Sequence, residues 1–229
     1  MSGVGKVTGF LSRLARGHGS PDDLAPEPDA PGTEPESLVP SKGLRKFVAA
    51  LRQSSSPALI DLGPVVGSNI QYFGVQLGCK VIVENLFEDI DRFEREGRAA
   101  DLPPFLDTRF PHEGHSVHGV LCWDLFDFLD RQSARVVAGH LMRVLKPDGA
   151  LFGLFSTDHP AEASFTRFVV VDDDTLRRRP YSTPRMRQPV MQNRDISQLF
   201  GSLRVSDQFL LQSKVREIVF RKPDYLFTQ

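Results

Sequence analysis

The segment between Ala58 and Phe73 restricts the possible folds of this chain more than any other. It reads as a short apolar strand that ends in the acid Asp61, followed by a loop with Gly63 and Gly67 and then by the start of a helix. A strand carboxyl end followed by a helix N-terminus leaves unpaired backbone N–H groups beside a crevice, and glycines let a ligand approach them. The segment therefore predicts a doubly wound α/β sheet that holds a nucleotide-like ligand.

The alternation of strand and helix patterns continues along the chain. Apolar runs and helical periodicity predict strands at Ala58–Asp61, Lys80–Val83, Gly119–Trp123 and Ala150–Phe155, and helices at Leu44–Leu51, Asn69–Leu77, Ala134–Leu145 and Asp195–Phe200. Near-continuous apolar strands are typical of a parallel sheet that is covered on both faces. Val205–Leu211 and Val215–Phe220 predict a closing antiparallel hairpin. The predicted class is α/β.

Composition divides the chain into a tail, a linker and one domain. Residues 1–19 have apolar side chains at helical spacing, which predicts either an amphipathic helix that docks on a partner or membrane surface, or a frayed tail. Residues 20–41 hold six prolines and six acids with little apolar content, so a disordered acidic linker is expected. The folded domain is expected over 42–229, because this length suits one substantial core.

Charge and cysteine content narrow the classes of partner and location. With 28 basic and 29 acidic residues, the chain has no overall field that would draw it to nucleic acid. Cys79 and Cys122 lie in apolar strand-like runs, which favours buried, reduced thiols and a cytoplasmic location. No stretch approaches the roughly 20 apolar residues that a membrane span needs, and the N-terminus has no apolar signal core.

Taken together, the motifs resemble those of the class I S-adenosylmethionine-dependent methyltransferase family. Asp61-Leu62-Gly63 through Gly67 is similar to the family's acidic, glycine-rich first motif, and Glu84 stands where the family has the acid that binds ribose hydroxyls. The strand 120–124 and the turn 145–149 are similar to the family's fourth strand and the start of its fifth. The resemblance covers about residues 44–222. It implies a mostly parallel, seven-stranded Rossmann-like sheet with a C-terminal antiparallel hairpin, and S-adenosylmethionine as cofactor.

The same resemblance implies roles for the glycine loop and for the next strand end. Gly63 and Gly67 would admit the methionine portion of the cofactor, while Asp61 would orient the loop or bind the cofactor's amino group. Glu84 follows Asp61 by 23 residues, which suits a carboxylate that accepts two hydrogen bonds from a ribose diol. The alternatives for Glu84 and its neighbour Asn85 are a solvated strand-end acid and a helix cap. Residues 64–66 depart from the family pattern, because they replace its usual middle glycine with Pro-Val-Val.

The end of the predicted fourth strand supplies further candidates. Asp124 would contact the methionine amino group or a substrate hydroxyl, or would cap a helix, and Asp127 is a weaker candidate for a catalytic base. Trp123 would either line a pocket or belong to the core. One loop carries three histidines that could be metal ligands, His112, His115 and His118. It offers no obvious fourth ligand, so no metal site is expected.

An arginine-rich insertion at 165–194 is the most distinctive region. Arg177, Arg179 and Tyr181 would recognise an acidic substrate or a nucleic acid, because guanidinium groups make forked contacts with carboxylate and phosphate. The alternative is a solvated hairpin whose arginines pair with the nearby aspartates at 172–174.

The sequence thus leads to one main hypothesis and two alternatives. The main one is methyl transfer from S-adenosylmethionine to an unidentified small-molecule or macromolecular acceptor. The alternatives are a methyltransferase-like binding or scaffold protein without catalytic activity, which the altered loop favours, and a nucleic-acid-directed protein that acts through the arginine-rich insertion, against which the neutral net charge counts.

Overall fold

The computed structural model describes residues 37–158, 165–180 and 188–224. Within these ranges the strands are β1 (Ser37–Pro40), β2 (Ala58–Asp61), β3 (Lys80–Val83), β4 (Val117–Trp123), β5 (Leu145–Ser156), β6 (Thr166–Asp172), β7 (Thr175–Pro180), β8 (Arg204–Leu210) and β9 (Val215–Arg221). The helices are α1 (Lys42–Leu51), α2 (Gly67–Ile70), which continues as a π-helical segment at Gln71–Gln76, α3 (Leu86–Arg95), α4 (Leu102–Arg109), α5 (Arg131–Val144) and α6 (Asn193–Leu199).

Some of the predicted features fall outside these ranges. They are the N-terminal helix at 1–19, residues 20–36 of the linker, and Tyr181 with residues 182–187 of the arginine-rich insertion. The last residues of the predicted linker, Ser37–Pro40, form the strand β1.

The main sheet confirms the predicted α/β class. Its strand order is β3-β2-β4-β5-β9-β8, with β3, β2, β4 and β5 parallel and β9 antiparallel between β5 and β8. The predicted closing hairpin is therefore confirmed as β8 and β9. Because the chain leaves β2 for β3 on one side and returns to β4 on the other, the strand order reverses between β2 and β4. Open α/β sheets bind ligands at such a reversal, outside the carboxyl ends of the strands.

The main sheet has six strands in the described part of the chain, so the expected number of seven was wrong there. Between β3 and β4 the chain forms α3 and α4, and no described strand flanks β3 on its outer edge. Pro103 and Pro104 lie in the first turn of α4. Proline fits that turn because the first N–H groups of a helix have no partner there, whereas it removes a donor from a sheet ladder.

The arginine-rich insertion contributes to a second, three-stranded antiparallel sheet, in the order β1-β7-β6. The apolar run Phe168–Val171 of the insertion lies within β6. Asn69 of α2 joins this sheet to the main one, because its amide donates to the carbonyl of Phe168 at 2.8 Å and its side-chain oxygen accepts from the N–H of Val170 at 2.8 Å. The ring of Phe168 in β6 packs on Trp123 at the end of β4.

The core lies on both faces of the main sheet. Successive side chains of a strand point to opposite faces of the sheet. Ile60, Val120 and Cys122 therefore pack in the hydrophobic cluster with α3, α4 and α5, whereas Leu59 and Leu121 pack in the cluster with α1. The stripe of α1 that the sequence predicts, Leu44, Phe47, Val48 and Leu51, is fully buried. Cys79 and Cys122 are buried free thiols. The described helices include none that is both long and apolar enough to cross a membrane.

Candidate functional site

Asp61 organises the glycine loop at the carboxyl end of β2. Its Oδ1 accepts hydrogen bonds from the backbone N–H of Gly63 at 2.9 Å and from Trp123 Nε1 at 2.7 Å. The residue is 3% exposed. Burial raises the pKa of Asp61 to about 6, although the hydrogen bonds from Gly63 and Trp123 act in the opposite direction. A buried carboxyl group thus fixes both the loop and the indole.

Trp123 covers the loop at Gly63. A Cβ added to Gly63 would lie 2.7 Å from Cδ1 and 2.8 Å from Nε1 of the indole, so only glycine fits beneath it. The indole also stacks on Phe168, with centroids 5.3 Å apart and planes 10° apart. The backbone of Trp123 has a φ of +51°, which is strained for a bulky residue and is typical of functional sites. Trp123 is therefore part of the core, and its indole also lies over the loop.

The middle residue of the Pro-Val-Val segment faces solvent. Val65 is 60% exposed, and Pro64 and Val66 are half-buried. Gly67 and Ser68, which begin α2, are also exposed. The side chain of Val65 therefore does not cover Gly63, which instead lies under the indole of Trp123.

Glu84 lies at the end of β3, with its backbone N–H donating to the carbonyl of Asp61 at 2.8 Å. Its carboxylate is held by two basic residues: Arg109 of α4 donates to Oε2, and His112 Nε2 donates to Oε1 at 2.6 Å. Arg109 also donates to the Glu84 carbonyl at 2.7 Å and to Asp89 Oδ2 at 2.9 Å. Burial alone would raise the pKa of Glu84, but the bonds from His112 and Arg109 outweigh it and hold this pKa below its usual value.

The partners of Glu84 were missed by sequence reasoning, which treated His112 only as a metal candidate. Asn85 follows in the left-handed region, with a φ of +39°, and its amide donates to Glu88 Oε2 at 3.1 Å. Each oxygen of Glu84 accepts a hydrogen bond from a basic side chain, so a ribose diol would compete with Arg109 and His112 for this carboxylate. The indole of Trp123 in turn covers the glycine loop at Gly63.

A small cavity lies beyond the carboxyl end of β4, against the three-stranded sheet. Asp124 and Asp127 both line it, and so does Glu217 of β9. The Asp127 carboxylate accepts from the N–H of Ser156 at 3.2 Å. Sequence reasoning missed Glu217 and its buried neighbour Arg216, although two adjacent charges inside the apolar run of β9 are a signal that could have revealed them.

The three loop histidines have separate partners. His112 binds Glu84, while His118 Nδ1 accepts from the N–H of Ala58 at 3.0 Å, and His115 lies 3.4 Å from Lys222 Nζ. In residues 37–158, 165–180 and 188–224 no group of three or more His, Cys, Asp or Glu side chains is placed to hold a metal ion.

The candidate substrate residues of the insertion lie on β7. Arg177 and Arg179 alternate along the strand with Arg178, which faces the cavity. The neighbouring aspartates contact α1 and the π-helical segment. Asp173 binds Arg52, just after α1, and the Tyr72 hydroxyl, and Asp174 lies 3.7 Å from Arg45. These contacts attach the three-stranded sheet to the α1 side of the molecule.

Comparisons with known proteins give solved structures only, since no protein-family model and no curated protein sequence matches the chain. One similar structure is 1,6-didemethyltoxoflavin-N1-methyltransferase from Burkholderia thailandensis, bound to 1,6-didemethyltoxoflavin and S-adenosylhomocysteine; identity is 16%, coverage is 80% of each chain and the TM-score is 0.46. Another is the PH0226 protein from Pyrococcus horikoshii OT3, with 14% identity, coverage of 80% of this chain and 92% of that one, and a TM-score of 0.45.

A third is the glycopeptide N-methyltransferase MtfA in complex with S-adenosyl-L-methionine, with 16% identity, coverage of 79% of this chain and 86% of that one, and a TM-score of 0.44. At such identities and TM-scores, these likenesses carry no argument about what the present chain binds or does.

Proposed function

We propose that this protein transfers a methyl group from S-adenosylmethionine to an acceptor that remains to be identified. The observation that carries the proposal is the reversal of strand order between β2 and β4, where Asp61, Gly63, Trp123 and Asp124 meet at the carboxyl edge of the sheet. This is the position at which open α/β sheets bind nucleotide-like ligands. The glycine at 63 supports the proposal, because a ligand that displaced the indole of Trp123 would meet the loop backbone with no side chain in between.

The residues of the chain would act mainly by positioning. S-adenosylmethionine supplies a methyl group that is already activated on a sulfonium, so holding it in line with a nucleophile lowers the barrier without a strong base. Asp61 would hold the loop in place through Gly63, and Glu84 would accept from the ribose hydroxyls. Asp124 and Asp127, which line the cavity at the end of β4, are the side chains that could contact the acceptor or take its proton.

Binding would require two local movements. The indole of Trp123 would leave Gly63, and Arg109 or His112 would release one oxygen of Glu84. Arg109 has a second carboxylate partner in Asp89, so it could keep an ion pair after leaving Glu84. That second partner limits the cost of opening the site.

The same contacts support a second candidate function, that of a methyltransferase-like binding protein without catalytic activity. A carboxylate whose two oxygens are both held by basic side chains is stable as it stands and needs no ligand. On this view the fold is retained as a scaffold, and Trp123 and Arg109 are permanent parts of its core and surface.

Calorimetric titration with S-adenosylhomocysteine separates the two functions. If the main proposal holds, the wild-type protein binds, Glu84→Gln weakens binding by roughly 1–3 kcal/mol because a charged acceptor is lost, and the exposed control Glu113→Gln leaves the affinity unchanged. A folded wild-type sample that gives no heat at millimolar ligand would overturn methyl transfer and favour the scaffold function.

A further inference from the structure

The cavity at the end of β4 lies between the two sheets. Its walls come from the carboxyl ends of β4 and β5, from β6 and β7 of the smaller sheet, and from β9 and the turn before it. Apolar side chains form one part of the lining, among them Val39, Leu154, Leu176 and Val215. The remainder is polar and charged, so the cavity has an amphipathic lining.

Its size limits what can enter. The cavity has a volume of about 20 Å³. A space of roughly 10–15 Å³ by this measure holds one water molecule. The narrow part therefore takes a single small group, such as an ammonium or a water, and is too small for a ring or a guanidinium.

Glu217 supplies an unsatisfied acceptor in this cavity. The residue is 0% exposed, and its Oε2 accepts from the N–H of Gly43 at 2.8 Å, at the start of α1. Its Oε1 is buried and has no hydrogen-bond partner among the described residues. A buried carboxylate oxygen without a partner is costly, so a ligand that donates a hydrogen bond to it would gain the corresponding free energy.

The charges of the lining favour a ligand of positive charge. Among the described residues that line the cavity, Asp124, Asp127 and Glu217 contribute three carboxyl groups, and Arg178 is the one cationic side chain. An ammonium group has three N–H donors on a compact centre and carries the complementary charge. A metal ion is disfavoured, because no described acids are grouped to hold one.

We propose that this cavity binds the primary ammonium group of an alkylamine, with Glu217 Oε1 as the acceptor and the apolar side chains in contact with the alkyl chain. The cavity shares Asp124 and Asp127 with the proposed methyl-transfer site, but none of its contacts involves the glycine loop or Glu84, so amine binding can be tested separately from cofactor binding. An ammonium held in this way would anchor a ligand at the edge of the main sheet, beside Asp124.

The proposal can be tested by titrating the protein with n-butylammonium chloride and following the Gly43 amide signal by NMR. This amide donates to Glu217 and reports directly on its carboxylate. We expect a saturable shift that sodium chloride of equal ionic strength and the neutral analogue n-butanol do not produce. Equal shifts with n-butanol, or no saturable shift with the amine, would overturn the proposal.

Variants of the lining complete the test. Glu217→Gln keeps an oxygen for the Gly43 amide but loses the charge, and we expect it to lower the affinity for the amine at least about tenfold. The control variant Glu113→Gln, at an exposed side chain, should bind the amine like the wild type. Arg178→Gln removes the opposing cation, and we expect it to strengthen amine binding several-fold even if the Glu217 variant fails to fold. Unchanged affinity in Arg178→Gln or in a folded Glu217→Gln would contradict the assignment.

Discussion

Replacing Asp61 by asparagine should stabilise the folded protein above pH 6. In the folded state the carboxyl group is buried and its pKa is raised from 3.8 to about 6. At 1.36 kcal/mol for each pKa unit, ionisation of this group costs the folded protein about 3 kcal/mol at pH 8. Asparagine has no charge to bury, and its side-chain oxygen can still accept from Gly63 and Trp123.

The direction of this pH dependence follows from proton binding. Because the folded pKa lies above the unfolded one, the folded protein binds this proton more tightly, and stability falls as the pH rises from about 4 through 6. The variant lacks this dependence. The gain from Asp61→Asn should therefore be close to zero near pH 4 and reach about 3 kcal/mol at pH 8, apart from a constant offset that the new amide group introduces.

Urea denaturation, followed by circular dichroism at several pH values between 4 and 8, measures this difference. Asp148→Asn, at an exposed side chain, is the matched control and should give a nearly constant difference. If the difference between Asp61→Asn and wild type does not grow with pH, the carboxylate is not buried as described. If Asp61→Asn instead becomes less stable than the wild type as the pH rises, the folded pKa of Asp61 does not lie above its unfolded value.

Two further substitutions test the packing that surrounds the site. Asn69→Ala removes both hydrogen bonds between α2 and the backbone of β6, and we expect the free energy of unfolding to fall by about 2–4 kcal/mol. A loss below about 0.5 kcal/mol in urea denaturation would show that these bonds do not attach the smaller sheet. Gly119→Ala places a Cβ 2.6 Å from Leu51 and 2.9 Å from Phe47, so a loss of about 1–3 kcal/mol is expected, and wild-type stability would contradict the close approach of α1 to β4.

Much of the fold could be predicted because its signals are local. The bounds predicted for β2 and β3, Ala58–Asp61 and Lys80–Val83, agree with the structure, since each is a short apolar run between turn residues. The stripe of α1 also lies within a few turns of one helix. The count of seven strands followed from the family resemblance and not from a local pattern, and residues 102–109, which include two prolines, form the helix α4.

The contacts of the site could not be predicted, because they are distant in sequence. The acid Glu84 and the glycine loop stand out as motifs, yet Arg109 is 25 residues away from Glu84, and Gly43 is 174 residues away from Glu217. Nothing in the local pattern around Trp123 shows that its indole turns onto Gly63 and bonds to Asp61, 62 residues earlier. Such pairings depend on how the strands are ordered in the sheet.

Ligand binding at the glycine loop can be followed by the fluorescence of Trp123 during titration with S-adenosylhomocysteine. Trp123 is the only tryptophan of the chain, and its indole covers the loop that the ligand would occupy. We expect a saturable change, with emission moving to longer wavelength as the indole leaves Gly63 and Asp61 for solvent. Emission that stays constant up to millimolar ligand, in a sample shown to be folded, would contradict binding at this loop.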